Sequence, residues 1–181
     1  RKKNYLGVTN SGKVDVKGLT GKKSHTPGFI KNLFYELVDV LSKVQTMGDF
    51  TSAKKEISKK IAICGKKIES KDIPLEELAF NVMLSKAPSE YVKTVPQHIR
   101  AAKQLESIRT IKKGDRISFI KILNKPGVKP VELAKKEEMD SKKYMEFLES
   151  TLEQITSSMN LDFDVILGKP KQTGLDEFFW S

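Results

Sequence analysis

Apolar positions alternate at the start of the chain and then fall into helical spacing. Tyr5-Leu6-Gly7-Val8 and Val14-Asp15-Val16 flank Asn10-Ser11-Gly12, a turn signal, and predict a β-hairpin. From Phe29 the period changes. Phe29, Ile30, Leu33, Phe34, Leu37, Val38, Leu41 and Val44 form one stripe of a helix, with Thr26 as expected N-cap and Pro27 in the first turn. A second helix is expected from about Thr51 to Gly65, with Ala53, Ile57, Ile61 and Cys64 on one face and lysines on the other. A shorter apolar segment runs from Leu78 to Leu84, after Pro74. Pro96 opens a third helical stretch with Ile99, Ala102 and Leu105 inward. Arg116 to Leu123 reads as a strand, Lys125-Pro126-Gly127 as its turn, and Val131 to Ala134 as the return. The last long helix carries Tyr144, Leu148, Leu152, Ile155 and Met159, starting at Asp140 or Ser141. Hairpins and helices without β-α-β alternation predict an α+β fold, with neither internal repeat nor low-complexity tract.

Charge sharpens this picture. Lys plus Arg number 33 against 23 Asp plus Glu over 181 residues, a net charge of +10. Such a balance favours polyanions, nucleic acid first and an anionic membrane surface second. Residues 1–25 hold Arg1, Lys2, Lys3, Lys13, Lys17, Lys22 and Lys23 against Asp15 alone, which is six of the ten net charges. Concentration at one end suits a phosphate-facing surface. Apolar runs reach neither transmembrane length nor the pattern of a signal peptide. The single Cys64 sits in a helical context and reads as a buried structural thiol. Arg1 in place of an initiator Met points to a fragment or a processed chain.

Candidate chemistry is sparse. The chain contains no G-x-x-x-x-G-K-[ST] phosphate loop and no Cys/His set at zinc spacing. His25 and His98 alone cannot build a metal centre. Glu76-Glu77 and Glu137-Glu138 are sequence neighbours whose side chains diverge on a helix, so they read as solvated faces. The isolated chain therefore reads as a binder with no catalytic set of its own. Its tail is more specific. Gln172-Thr173-Gly174-Leu175-Asp176-Glu177-Phe178-Phe179 has the spacing Q-x-x-L-x-x-F-F. One helical turn would place Leu175, Phe178 and Phe179 on a single apolar face, with the Gln172 amide beside it for hydrogen bonds. Peptides of this kind hold proteins to a sliding clamp (PCNA) on DNA. The preceding Gly168-Lys169-Pro170-Lys171 reads as a leash.

Lys2-Lys3-Asn4-Tyr5, the hairpin, and Gly18-Leu19-Thr20-Gly21-Lys22-Lys23 resemble the end of the palm in archaeal family B DNA polymerases, where a K-K-x-Y motif lies beside the nascent duplex. Leu84-Ser85-Lys86-Ala87-Pro88-Ser89-Glu90-Tyr91, Pro96-Gln97-His98-Ile99-Arg100-Ala101-Ala102 and Lys112-Lys113-Gly114-Asp115-Arg116-Ile117 are similar to successive thumb segments of that family. The ordered set covers nearly the whole chain, although each motif alone is weak. The resemblance implies palm edge over 1–25, a mainly helical thumb with a small β-hairpin over 26–167, and a flexible clamp-binding tail over 168–181. It implies that Lys2, Lys3 and Tyr5 lie near the primer end and that Lys22, Lys23, Ser24 and His25 touch the primer strand. Lys86, His98, Arg100 and Lys103 would line the thumb face.

The chain departs from the family in lacking the aspartates that hold the catalytic Mg2+ ions. Those would come from the palm, fingers and exonuclease portion, so this piece alone should be inactive. The expected partners are primer-template DNA, the sliding clamp and the catalytic remainder, with no membrane, in an archaeal cytoplasm at the nucleoid. The piece could be the smaller half of a split enzyme or a fragment of a continuous one. A rival expectation is a stand-alone clamp-associated DNA-binding adaptor. It explains tail and charge but not the order of the motifs. An RNA-binding accessory role is a weaker third, since the strands lack aromatic stacking platforms.

Overall fold

The structure, a computed structural model, describes residues 25–169 and the backbone of two strands nearer the N-terminus. Those strands, β1 (Tyr5–Val8) and β2 (Val14–Lys17), pair antiparallel with Tyr5 opposite Lys17 and Val8 opposite Val14, the expected hairpin. Helix α1 spans Gly28–Ser42 and buries Phe29, Ile30, Leu33, Phe34, Leu37 and Leu41, as the stripe predicted. Its cap differs from expectation. Pro27 occupies the N-cap, and its carbonyl accepts from Ile30 N (3.1 Å) and Lys31 N (3.0 Å). Thr26 lies one residue too early, and its hydroxyl is buried without a partner among the described residues.

Helix α2 spans Met47–Glu69, longer at both ends than the predicted Thr51 to Gly65. Its start is set by a capping box. The Asp49 N–H donates to Thr46 Oγ1 (3.0 Å), and the Asp49 carboxylate accepts from Thr46 N (3.1 Å). Gln45 N also donates to that carboxylate (3.1 Å), and the Gln45 and Thr46 N–H groups hold the Asp49 pKa below its usual value. At the other end Gly65 continues the helix, because its missing side chain makes room for a neighbour. A Cβ there would sit 2.4 Å from Leu167 Cδ2. Cys64, one residue before, is buried, and burial pushes its thiol up to about 11. The neutral thiol therefore dominates through neutral pH, and thiolate-dependent reagents should modify Cys64 only once the fold opens. Rapid labelling of native protein at neutral pH would contradict that placement.

After Pro74 the chain makes one turn of helix, α3 (Leu75–Leu78), and strand β3 (Phe80–Met83). Helix α4 (Gln97–Leu105) starts at Pro96 and buries Ile99, Ala101, Ala102 and Leu105. Strand β4 (Arg116–Lys121) pairs antiparallel with β3 on one side and with β5 (Val128–Pro130) on the other. The expected small hairpin is thus part of a three-stranded sheet, and its return strand begins earlier than Val131. Gly127 closes the turn at φ +85°, its N–H donating to Asn124 O (2.8 Å), so pairing resumes at once with Val128 opposite Lys121. Val131 N still donates to Ser118 O of β4 (2.9 Å), and residues 132–134 then turn away, with Leu133 N on Pro130 O (3.0 Å).

Helix α5 (Ser141–Ser158) is capped by Asp140, which accepts from Lys143 N (3.2 Å). It presents Tyr144, Leu148, Leu152 and Ile155 to a core shared with α1 and α2. A last short helix, α6 (Phe163–Ile166), was not expected from periodicity; Asp162 caps it through the Asp164 and Val165 N–H groups. Alternation splits the sheet into two faces. Phe80, stacked on Phe119 at 5.6 Å, meets Tyr144 and Phe147 of α5. Asn81 and Ser118 stand on the opposite face, and α4 packs against β4 and β5.

Candidate nucleic-acid interface

The edge strand β3 and the segments beside it gather polar groups distant in sequence. His25, just before α1, donates from Nδ1 to the backbone carbonyl of Asn81 on β3 (2.9 Å). A carbonyl only accepts, so this bond assigns the proton to Nδ1 and leaves Nε2 as the ring's other hydrogen-bonding atom. The Asn81 side-chain oxygen accepts from the Ser118 hydroxyl across the β3–β4 pair. On α4, His98 is half-buried with its ring edge-on to Tyr91 (6.3 Å, 87°). The Tyr91 hydroxyl shares a hydrogen bond with Ser85 Oγ at 3.3 Å, beside the exposed Lys86. One polar surface therefore runs over the junction before α1, strand β3, the 85–91 loop and the start of α4.

Exposed cations lie on the same elements. Arg100 and Lys103 are exposed, three residues apart on α4. With Gln97 they form its solvent face, away from the buried Ile99 and Ala102. The Arg100 Nε–H donates to Val95 O (3.2 Å), which fixes the base of the guanidinium and leaves the planar head outward. The end of the sheet next to Lys86 adds Lys112, Lys113 and Arg116, all exposed. Burial, and secondarily the charge of His25, lowers the pKa of His98 from its ordinary 6.5. His98 is expected to titrate by NMR below 6.5, and His25→Ala to move it back upward. For a depressed histidine the associated stability is present above the unfolded value near 6.5 and is lost as pH falls through the folded value. A His98 midpoint at or above 6.5 would remove the coupling.

Of the expected contact residues, His25 and His98 are close enough for the charge of one to act on the other, whereas Lys86 is exposed in the 85–91 loop and Arg100 and Lys103 are exposed on the outer face of α4. Lys2, Lys3, Lys22, Lys23 and Ser24 lie outside the described residues, as do Gln172, Leu175, Phe178, Phe179 and the side chain of Tyr5. Sequence reading missed Asn81, Ser118 and Tyr91 as the connectors. The polar Asn81 between Phe80 and Val82 carried a signal, since alternation puts it on the other face from Phe80. Lys121 was also missed. Its ammonium sits over the rings of Phe80 (5.1 Å) and Phe147 (5.9 Å), and burial followed by the Lys143 charge lowers its pKa.

Carboxylates serve the fold here. Glu138 accepts from Lys129 Nζ (2.7 Å) and Lys135 N (2.8 Å), which holds its pKa down, while Glu76 and Glu77 are exposed in the first turn of α3. Among the described residues no group of three or more His, Cys, Asp or Glu comes together to hold a metal. The described part does not fit the Mg2+ implied by the resemblance. No helix among the described residues is long and apolar enough to cross a membrane.

An exposed basic rim around a polar imidazole surface on an α+β scaffold has the chemistry of a polyanion binder. The family model for DNA polymerase family B matches residues 1–165. DNA polymerase 1 of Saccharolobus solfataricus is 40% identical over 179 residues, covering 98% of this chain and 20% of that protein. DNA polymerase 1 of Sulfolobus acidocaldarius is 39% identical over 181 residues, covering 99% and 20%. The solved family B DNA polymerase of the archaeon Pyrobaculum calidifontis shares the fold at TM-score 0.59 and 18% identity, over 96% of this chain and 21% of that one. The chain belongs to DNA polymerase family B, in its archaeal branch. It spans about a fifth of the length of the curated relatives it matches.

Proposed function

We propose that this chain is the thumb, with the adjoining edge of the palm and a clamp-binding tail, of a DNA-directed DNA polymerase. It grips the primer-template duplex and ties the enzyme to a sliding clamp. The observation that carries the reading is the family B match over residues 1–165, supported by the exposed cations Lys86, Arg100 and Lys103 and by the His25–Asn81 and His98–Tyr91 contacts. A polymerase must hold duplex of any sequence, so its grip goes to phosphates and carries no base-specific code. Lysines supply mobile point charges and Arg100 a planar donor fork for that purpose. Lys2, Lys3 and Tyr5, then Lys22, Lys23 and Ser24, extend the same grip toward the primer end. The metal-binding aspartates that transfer the nucleotide belong to another part of the polymerase, with Mg2+ as their ion. The described charge and fold suit DNA and the rest of the polymerase as partners.

Duplex binding as a function of salt tests the grip. Each phosphate contact contributes about 0.9 to the slope of log K against log salt on B-form DNA. The triple variant Lys86→Ala, Arg100→Ala, Lys103→Ala is expected to lose about 2.7 of that slope and to weaken equally on unrelated sequences. An unchanged slope would take these three residues off the phosphate contact list. Loss confined to one DNA sequence would point to base reading instead.

A further inference from the structure

Away from the basic face, α1 and α2 enclose an apolar groove of about 360 Å³. Phe29, Leu33, Cys64 and Ile73 line it together with Ile63 and Pro74. Ile63 leaves 47% of its surface in solvent there, an exposure that a residue of its hydrophobicity resists. The rim carries both signs, Lys60 and Lys67 on α2 and Glu36, Asp72 and Glu77 opposite. The volume lies within the range of sites that hold a few apolar side chains. None of the grip residues described above touches it.

We propose that the chain's own terminal segment, Leu175 to Trp180, docks in this groove when no clamp is bound. Three observations select that occupant. The first is where the described chain ends. Leu167 packs on Gly65, and Lys169 lies beside Glu69 and Met145, all against the C-terminal half of α2. The groove opens on the other flank of that same half, at Ile63, Cys64 and Lys67. The second is length. Half the circumference of a helix about 11 Å across is about 17 Å. The six residues Pro170 to Leu175 reach about 20 Å when extended, so Leu175 arrives at the groove after one pass over the outside of α2. The third is composition. Leu175, Phe178, Phe179 and Trp180 match the apolar floor, while Asp176 and Glu177 match Lys67 on the rim, Lys60 being held by Glu36 at 3.1 Å.

The same aromatic residues cannot fill the groove and a clamp pocket together. Docking therefore lowers the apparent affinity for the clamp by the fraction of time the tail is free, and clamp binding uncovers the groove. This competition rests on the clamp reading of the tail. The docking itself does not.

Trp180 is the only tryptophan of the chain, so its fluorescence reports on the tail alone. In the 181-residue chain without clamp, its emission is expected at shorter wavelength and shielded from acrylamide, independent of protein concentration. Ile63→Lys and, separately, Lys67→Glu should shift the emission to the exposed position with unchanged far-UV circular dichroism. Both residues are on the surface, so the fold tolerates them. Val92→Lys, 85% exposed and beside Tyr91 on the grip side, should change nothing. If the tail is docked about four-fifths of the time, Ile63→Lys should tighten clamp binding about fivefold. A solvent-exposed Trp180 in the unaltered chain, or shielding untouched by both groove variants, overturns the docking. Shielding that grows with concentration also overturns it, in favour of a second copy as occupant. Clamp binding that persists while Trp180 is exposed in every chain would remove the docking and leave the clamp reading standing.

Discussion

Tyr144→Phe is expected to destabilise the fold by about 2 kcal/mol, and Tyr144→Ala by about 4 kcal/mol. Tyr144 is fully buried on α5. Its hydroxyl donates to Leu78 O (2.8 Å) and accepts the Lys121 N–H (3.2 Å), tying the end of α3 to β4. Its ring lies 6.1 Å from Phe29 and 6.0 Å from Phe80, so one side chain joins α1, α3, β3, β4 and α5. Removing only the oxygen strands a buried carbonyl and a buried N–H, each of which costs more unpaired than the bond was worth. Removing the ring adds a cavity between rigid elements. Burial also holds the phenol's pKa well above its usual value, so the hydroxyl keeps its proton at any working pH. Urea melts would read the loss as a lower midpoint at unchanged slope. A Tyr144→Phe chain within about 0.5 kcal/mol of the original, no more than an ordinary surface change, would show that neither bond matters.

The same variant should disturb the polar groups on the back of the strands Tyr144 supports. Asn81 and Ser118 alternate with Phe80 and Phe119 along β3 and β4. A shift in the aromatic layer therefore moves the carbonyl that holds His25.

How much of this was legible in the chain depended on how local its cause is. The α1 stripe was readable because helical period and burial coincide from Phe29 to Leu41. The Thr26 cap failed because Pro27, with no N–H and a fixed φ, takes that position itself. Gly65 looked like a stop, yet it is a contact with Leu167, a hundred residues further on, which no local pattern encodes. The return strand was set late because a tight turn at Gly127 restores pairing sooner than hydrophobicity suggests. For the interface, net charge and lysine placement were legible from composition. The His25–Asn81 bond was not, since it joins residues 56 apart and uses a backbone carbonyl, which every residue offers. Lys121 escaped for a related reason: an isolated lysine in a strand reads as solvent-facing until two aromatic rings are folded over it.

The second large effect is expected at the tail. Phe178→Ala with Phe179→Ala should abolish clamp-stimulated primer extension by the complete polymerase and leave clamp-free extension nearly unchanged. Buried aromatic anchors in small interfaces commonly carry about 2 kcal/mol or more each, so losing both should weaken clamp binding by about a thousandfold. Gln172→Ala, which removes only the amide at the pocket's edge, should cost about tenfold. The asymmetry between the two assays is the informative part. On the proposed reading clamp and duplex contacts are each modest, and linking them would convert the second into an intramolecular step. On that reading a polymerase without the aromatic anchors would keep its hold on DNA but lose that gain, so processivity is expected to fall while single-nucleotide incorporation persists. A matching loss in both assays would mean that Phe178 and Phe179 support the polymerase's own fold. An intact clamp response in the double variant would move the tether elsewhere and leave the tail to the groove between α1 and α2.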